Sequence, residues 1–182
     1  MLAKLTWKLA ALPEQAWPRF AAAHAQAEPL PSPHKHVAGV ALVSVLGTGI
    51  GWMIVPGSTA GGAVLQMLAA FVGYVGGTAL AVELAARLIT APRVSSDDVA
   101  RYASGALLPI AVSGALNVIP LIPMNFVLAL AGTVASAHSG WIGASAMLAL
   151  EGPARKRAAA IPAGVALGAV LLTTLIRMAL PR

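Results

Sequence analysis

The sequence predicts an all-α integral membrane protein, a bundle of five transmembrane helices preceded by a short amphipathic N-terminal segment. Charge is scarce, two long stretches lack it altogether, and the basic residues fall on one side of the apolar segments. Of the 182 residues, 58% are apolar and 10% charged, and the mean hydropathy is +0.81. Soluble domains carry about 25% charged residues. A chain this short has a large surface for its volume, and so few charged groups leave apolar surface that must face lipid. No Asp, Glu, Lys or Arg lies between Lys35 and Glu83, or between Arg101 and Glu151. Each gap exceeds twice the roughly 20 residues a helix needs to cross about 30 Å of hydrocarbon. Turn-forming residues divide both gaps, Pro56-Gly57-Ser58-Thr59-Ala60-Gly61-Gly62 in the first and Asn117 to Asn125, with Pro120 and Pro123, in the second.

Taken from the N-terminus, residues 1–36 form a cytoplasmic head and residues 37–182 the membrane domain. Leu2, Leu5, Leu9 and Leu12 make one helical stripe with Lys4 and Lys8 beside it, the pattern of a helix lying at a membrane surface. Trp7 and Trp17 are residue types that favour the headgroup level. Pro29, Pro31 and Pro33 then lead into the first span. The spans are expected at residues 37–55, 63–89, 102–122, 124–150 and 158–176. Asp97 and Asp98 read as helix-start residues with Ser95 or Ser96 as cap. Pro162 is expected within about the first turn of the fifth span, where proline is tolerated.

Orientation follows from the basic residues. Lys4, Lys8, Arg19 and Lys35 precede the first span, Arg87, Arg93 and Arg101 surround the second loop, and Arg155, Lys156 and Arg157 the fourth. All ten share one side of a five-span layout, while Arg177 and Arg182 lie at the other. That bias predicts a cytoplasmic N-terminus and an external C-terminus. It also explains the net charge of +6 without nucleic acid, since the basic residues flank apolar spans. The expected partners are the lipid bilayer and either a second copy of the chain or other membrane proteins.

Polar residues within the spans are the candidates for chemistry. Glu83 and Arg87 share a helical face at i,i+4. They form either an ion pair near the interface or, with Glu83 turned inward, part of a proton or cation path. His138 is expected near the middle of the fourth span, where it serves either as an interhelical hydrogen-bond partner or as a proton or ligand group. Asn117 closes the third span. Gly73 and Gly77, Gly164 and Gly168, and the row Gly132, Ser136, Gly140 are small residues at helix-packing spacing. The run Gly47-Thr48-Gly49-Ile50-Gly51 lacks a nucleotide-loop pattern and reads as close helix packing. His24, His34 and His36 have no Cys or carboxylate at ligand spacing, so no metal site is expected. No nucleophile, zinc or phosphate-loop motif is present, no catalytic residue is assigned, and neither enzymatic activity nor a cofactor is expected.

The segments Leu12-Pro13-Glu14-Gln15-Ala16-Trp17, Tyr102-Ala103-Ser104-Gly105-Ala106-Leu107-Leu108-Pro109, Asn117 to Pro123, and Trp141 to Glu151 with the following Gly152-Pro153 and basic cluster resemble the Yip (Ypt/Rab-interacting) family. The likeness is to its small bacterial inner-membrane branch and spans essentially the whole chain. It implies a five-helix fold with a cytosolic N-terminus in a bacterial inner membrane. The acidic-Leu-Tyr-Gly-Pro signature of eukaryotic members is missing, so association with Rab GTPases does not carry over. The functional expectation is a non-enzymatic scaffold or adaptor in membrane organisation or trafficking. The alternative is a small transporter or channel-like protein using Glu83 and His138. The first expects Glu83 tied to Arg87 in a dry bundle, the second a hydrated cavity reaching both residues.

Overall fold

The structure is a computed structural model, and it describes residues 8–26, 33–89, 94–119 and 122–179. Leu2, Lys4, Leu5, Trp7, Arg93 and Arg182, on which parts of the surface-helix and orientation readings rest, lie outside these residues. Every regular element among the described residues is helical. A single turn at residues 8–11 precedes α1 (Pro13–Ala25), and the long helices are α2 (Pro33–Ile54) and α3 (Ala60–Leu88). They are followed by α4 (Ser96–Ala106), α5 (Leu108–Ala115), α6 (Ile122–Ala146) and α7 (Gly152–Ala179). Four segments are long and apolar enough to cross a membrane, namely Ala60–Leu88, Ser96–Val118, Met124–Ala146 and Gly152–Ile176. In α2 the apolar stretch Ala41–Ile54 is shorter. Leu42, Met53, Phe71, Val127, Val134 and Leu175 are all exposed, which in water would be untenable and in lipid is required.

Local sequence explains the irregularities. Thr59 caps α3 by accepting from the Gly62 amide, and Ser95 and Asp98 close a reciprocal capping box at the start of α4. Residues Val72–Gly76 of α3 wind as a π-helical turn. Gly73, Gly76 and Gly77 keep that wider turn uncrowded, and the Thr78 hydroxyl donates to the Tyr74 carbonyl at 2.6 Å. The third apolar segment breaks at Leu107 because Pro109 has no amide hydrogen and its ring would strike the preceding turn. Neighbouring helices complete the broken ladder. The Ile110 amide donates to Ser136 Oγ at 3.2 Å, and the Ser44 hydroxyl donates to the Ala111 carbonyl.

Helix α6 lies at the centre, in contact with α7, α5, α4 and α1, while α2 packs on α3 and α5. A hydrophobic core around Trp17, Tyr102, Leu107, Leu108 and Leu148 fills the end of the bundle nearest α1. The glycines of α2 bring its backbone against the end of α5. A methyl at Gly51 would lie 1.8 Å from the Asn117 carbonyl oxygen, and one at Gly47 would lie 2.5 Å from that of Ala115.

Several helix ends differ from the expected span ends. The third segment begins at Ser96 rather than 102, and α6 ends at Ala146 rather than 150. Helix α7 begins at Gly152 rather than 158, so Pro162 sits well inside it rather than in the first turn. Arg155, Lys156 and Arg157, expected in a loop, are helical. Arg155 stacks on the Trp141 ring at 4.1 Å and donates to its carbonyl at 2.9 Å, contacts that draw the helix start forward.

Candidate functional site

Trp17, read from the sequence as a headgroup-level residue, is 0% exposed within the bundle. Its ring fits between Gly105 of α4 and Gly143 of α6, where added methyls would fall 2.6 and 2.7 Å from ring atoms. Its indole nitrogen donates to Ser139 Oγ at 3.0 Å. Phe20 meets the ring edge-on at 5.8 Å between centroids, and Tyr102 lies at 6.2 Å. Two histidine–carboxylate contacts flank this plug with opposite polarity. His24 of α1 meets Asp98 of α4 at 2.6 Å, and Glu14 of α1 lies 3.7 Å from His138 of α6. Lys8 stands exposed at the start of this docked segment.

His138 lies near the middle of the segment Met124–Ala146, as expected, beside the N-terminal helix and with its side chain half exposed. Glu83 accepts from Arg87 Nε at 2.6 Å, and both side chains are exposed. Glu83 and His138 thus each have their own partner and do not form a common polar site. Among the described residues no cluster of three His, Asp or Glu side chains could hold a metal.

The small residues divide by what they face. Gly73 and Gly77 meet α7 through Ala169 and Val165, Gly132 admits Ser113, and Gly140 receives the Pro162 ring, 2.7 Å from where a methyl would stand. Ser136 is a hydrogen-bonding residue of the broken helix. Gly164 and Gly168 have open space where a side chain would be.

Opposite the plugged end the bundle is hollow. A cavity of about 420 Å³ is lined by Thr48 of α2, Gln66 and Tyr74 of α3, Asn117 beyond α5, Asn125 of α6 and Thr173 of α7, together with apolar walls. The π-helical turn carries Tyr74 to this lining. Tyr74 also lines a separate cavity of about 20 Å³, room for roughly one water. Neither Glu83 nor His138 borders the large cavity, and among the described residues no Asp, Glu, Lys, Arg or His does. Asn117 Nδ2 reaches Thr48 Oγ1 at 3.4 Å, and Asn125 Nδ2 donates to the Ile119 carbonyl at 3.0 Å. The latter bond turns Asn125 Oδ1 the other way, where it is buried without a partner. Gln66, 1% exposed, likewise has an unpartnered Nε2, and Trp52, 8% exposed, an unpartnered Nε1. An unmade hydrogen bond on a buried polar group costs about 1–3 kcal/mol, and all three residues border one cavity. Only Asn117 of this lining stands out in the sequence. Gln66 is legible in retrospect as an amide alone in an apolar span, and Asn125 as one just beyond the proline turn.

The chain matches no family model, no curated protein and no solved structure.

Proposed function

We propose that this chain is a five-span membrane protein, with its N-terminus in the cytoplasm, that binds a small uncharged polar group inside the bundle without catalysing a reaction on it. The observation that carries the proposal is the 420 Å³ cavity bordered by two buried amides with unpartnered atoms. Ligand sites are commonly cavities of about 300–1,000 Å³ with mainly apolar walls and a few placed polar groups. The basic bias and the resemblance to the Yip family support the five-span layout, with α2 as the first span. A scaffold that recruits partners through its head is less well supported, because Trp17, the largest side chain among the described residues of that head, is occupied within the chain.

Replacing Gln66 separates a ligand-binding amide from an architectural one. In ligand-free purified protein, Gln66→Leu removes an unsatisfied buried donor and is expected to raise the melting temperature by about 2–4 °C. A comparable fall would mean that the amide holds the bundle together, and the binding proposal would fail.

A further inference from the structure

The chemistry of the cavity wall narrows the class of ligand, given the binding function proposed above. Its polar lining consists of hydroxyls, amides and the Trp52 indole, with no charged side chain among the described residues. An ion entering it would lose its solvation and find no counter-charge, a penalty of several kcal/mol. The unmet atoms on this lining are two donors, Gln66 Nε2 and Trp52 Nε1, and one acceptor, Asn125 Oδ1. A hydroxyl group answers one donor and the acceptor, and an ester carbonyl next to it accepts from the second donor. The remaining wall is apolar, including Ala70, Ala129 and Val170. The lining extends to Phe126 and Met178, which are 47% and 78% exposed on the surface that faces lipid. A water-soluble polyol would leave that apolar wall uncovered. A molecule with a small hydroxylated head and an apolar tail covers both parts at once.

We infer that the cavity takes the hydroxyl-bearing head of an uncharged lipid of the diacylglycerol class, whose chains leave past Phe126 and Met178 into the bilayer. The head stands between Gln66 and Asn125, and the apolar walls receive the first methylenes. The packed core and the Trp17 plug close the other end, so the lipid is held from one side of the bundle only.

The test uses the full chain in phosphatidylcholine liposomes containing a diacylglycerol with a photoactivatable diazirine on one acyl chain, with labelled peptides mapped by mass spectrometry. Label is expected on the segments carrying Phe126 and Met178, competed by plain diacylglycerol but not by glycerol or phosphatidylglycerol. Gln66→Leu and Asn125→Leu should each lower the labelling about fivefold, the effect of one lost hydrogen bond. Ala129→Trp, which fills the cavity and leaves both amides in place, should lower it as well. Size-exclusion profiles matching the wild type show that the variants are folded. Equal competition by glycerol would overturn the lipid inference while leaving the uncharged-ligand proposal standing. Equal competition by phosphatidylglycerol would overturn the uncharged class itself. Labelling spread evenly over the lipid-facing helices and unmoved by the variants would overturn both.

Discussion

A tryptophan, a serine and two glycines decide where the N-terminal helix goes. Trp17 brings the largest side chain of the buried core, Gly105 and Gly143 open a slot as thick as its ring, and Ser139 answers its single polar atom. Aromatic burial of this kind, with the indole hydrogen bonded, contributes apolar area and orientation together. Trp17→Ala leaves a cavity and is expected to cost about 3–5 kcal/mol. The loss falls on the docking of α1 before the rest of the bundle, because the helix contributes few other large buried side chains. Limited trypsin digestion should then cut after Arg19 much faster than in the wild type, with the fragment from α2 onward remaining intact. Unchanged cleavage at Arg19 would show that the helix is held by other contacts. By contrast, the Glu83–Arg87 pair lies in the open, where such i,i+4 pairs contribute only about 0.3–0.5 kcal/mol.

Among the elements, small residues and prolines set how closely the helices approach. Gly140 of α6 faces Pro162 of α7 with no room for a methyl, whereas Gly164, two residues further along α7, faces open space. Identical glycines therefore have opposite predicted responses. Gly140→Ala forces the α6–α7 pair apart and should destabilise the protein by about 1–3 kcal/mol. Gly164→Ala meets nothing and should be neutral or stabilising by up to about 1 kcal/mol through helix propensity. Thermal melts of the two variants in detergent measure the contrast, and equal losses would mean that α7 is rotated from the orientation described. The break at Pro109 follows the same economy of backbone groups. An amide freed by the proline takes a serine from α6, and a carbonyl of the next turn takes one from α2, since in lipid no water is available to do so.

At the scale of the whole molecule the bundle has one packed end and one hollow end. The packed end holds Trp17, Tyr102 and the neighbouring leucines, and the hollow end holds hydroxyls and amides around the 420 Å³ cavity. Under the proposed orientation the packed end is cytoplasmic, where the basic residues concentrate, and the cavity lies in the outer half. The chain has no cysteine, which makes the layout directly measurable. Ser58→Cys, in the turn before α3, and Ser96→Cys, at the start of α4, should react with a membrane-impermeant maleimide from opposite faces of sealed vesicles. Ser58→Cys is the one expected to label from outside intact cells. Reaction of both from the same face would remove the five-span layout and the assignment of the cavity to the outer half.

The sequence by itself determined that the chain is helical and apolar enough to enter a membrane, where its turns lie, and that Ser95 and Asp98 start a helix. These follow from charge spacing, proline and glycine positions and capping chemistry, all of which act over a few residues. It also made the α2 glycines legible as close packing, because three glycines at alternate positions within an apolar helix have little other use. Tertiary structure alone decided the partners. Trp17 has the composition of an interfacial residue, and only the slot between Gly105 and Gly143, more than 85 residues away in sequence, makes it a core residue. His138 lies at the centre of an apolar run, and only the arrival of Glu14 places it beside α1. The cavity combines residues from five separate helical segments, each of which looks like an isolated polar exception in its own span. Whether such a residue meets a partner or an empty space depends on how neighbouring helices rotate and break, and that is fixed by long-range packing rather than by local pattern.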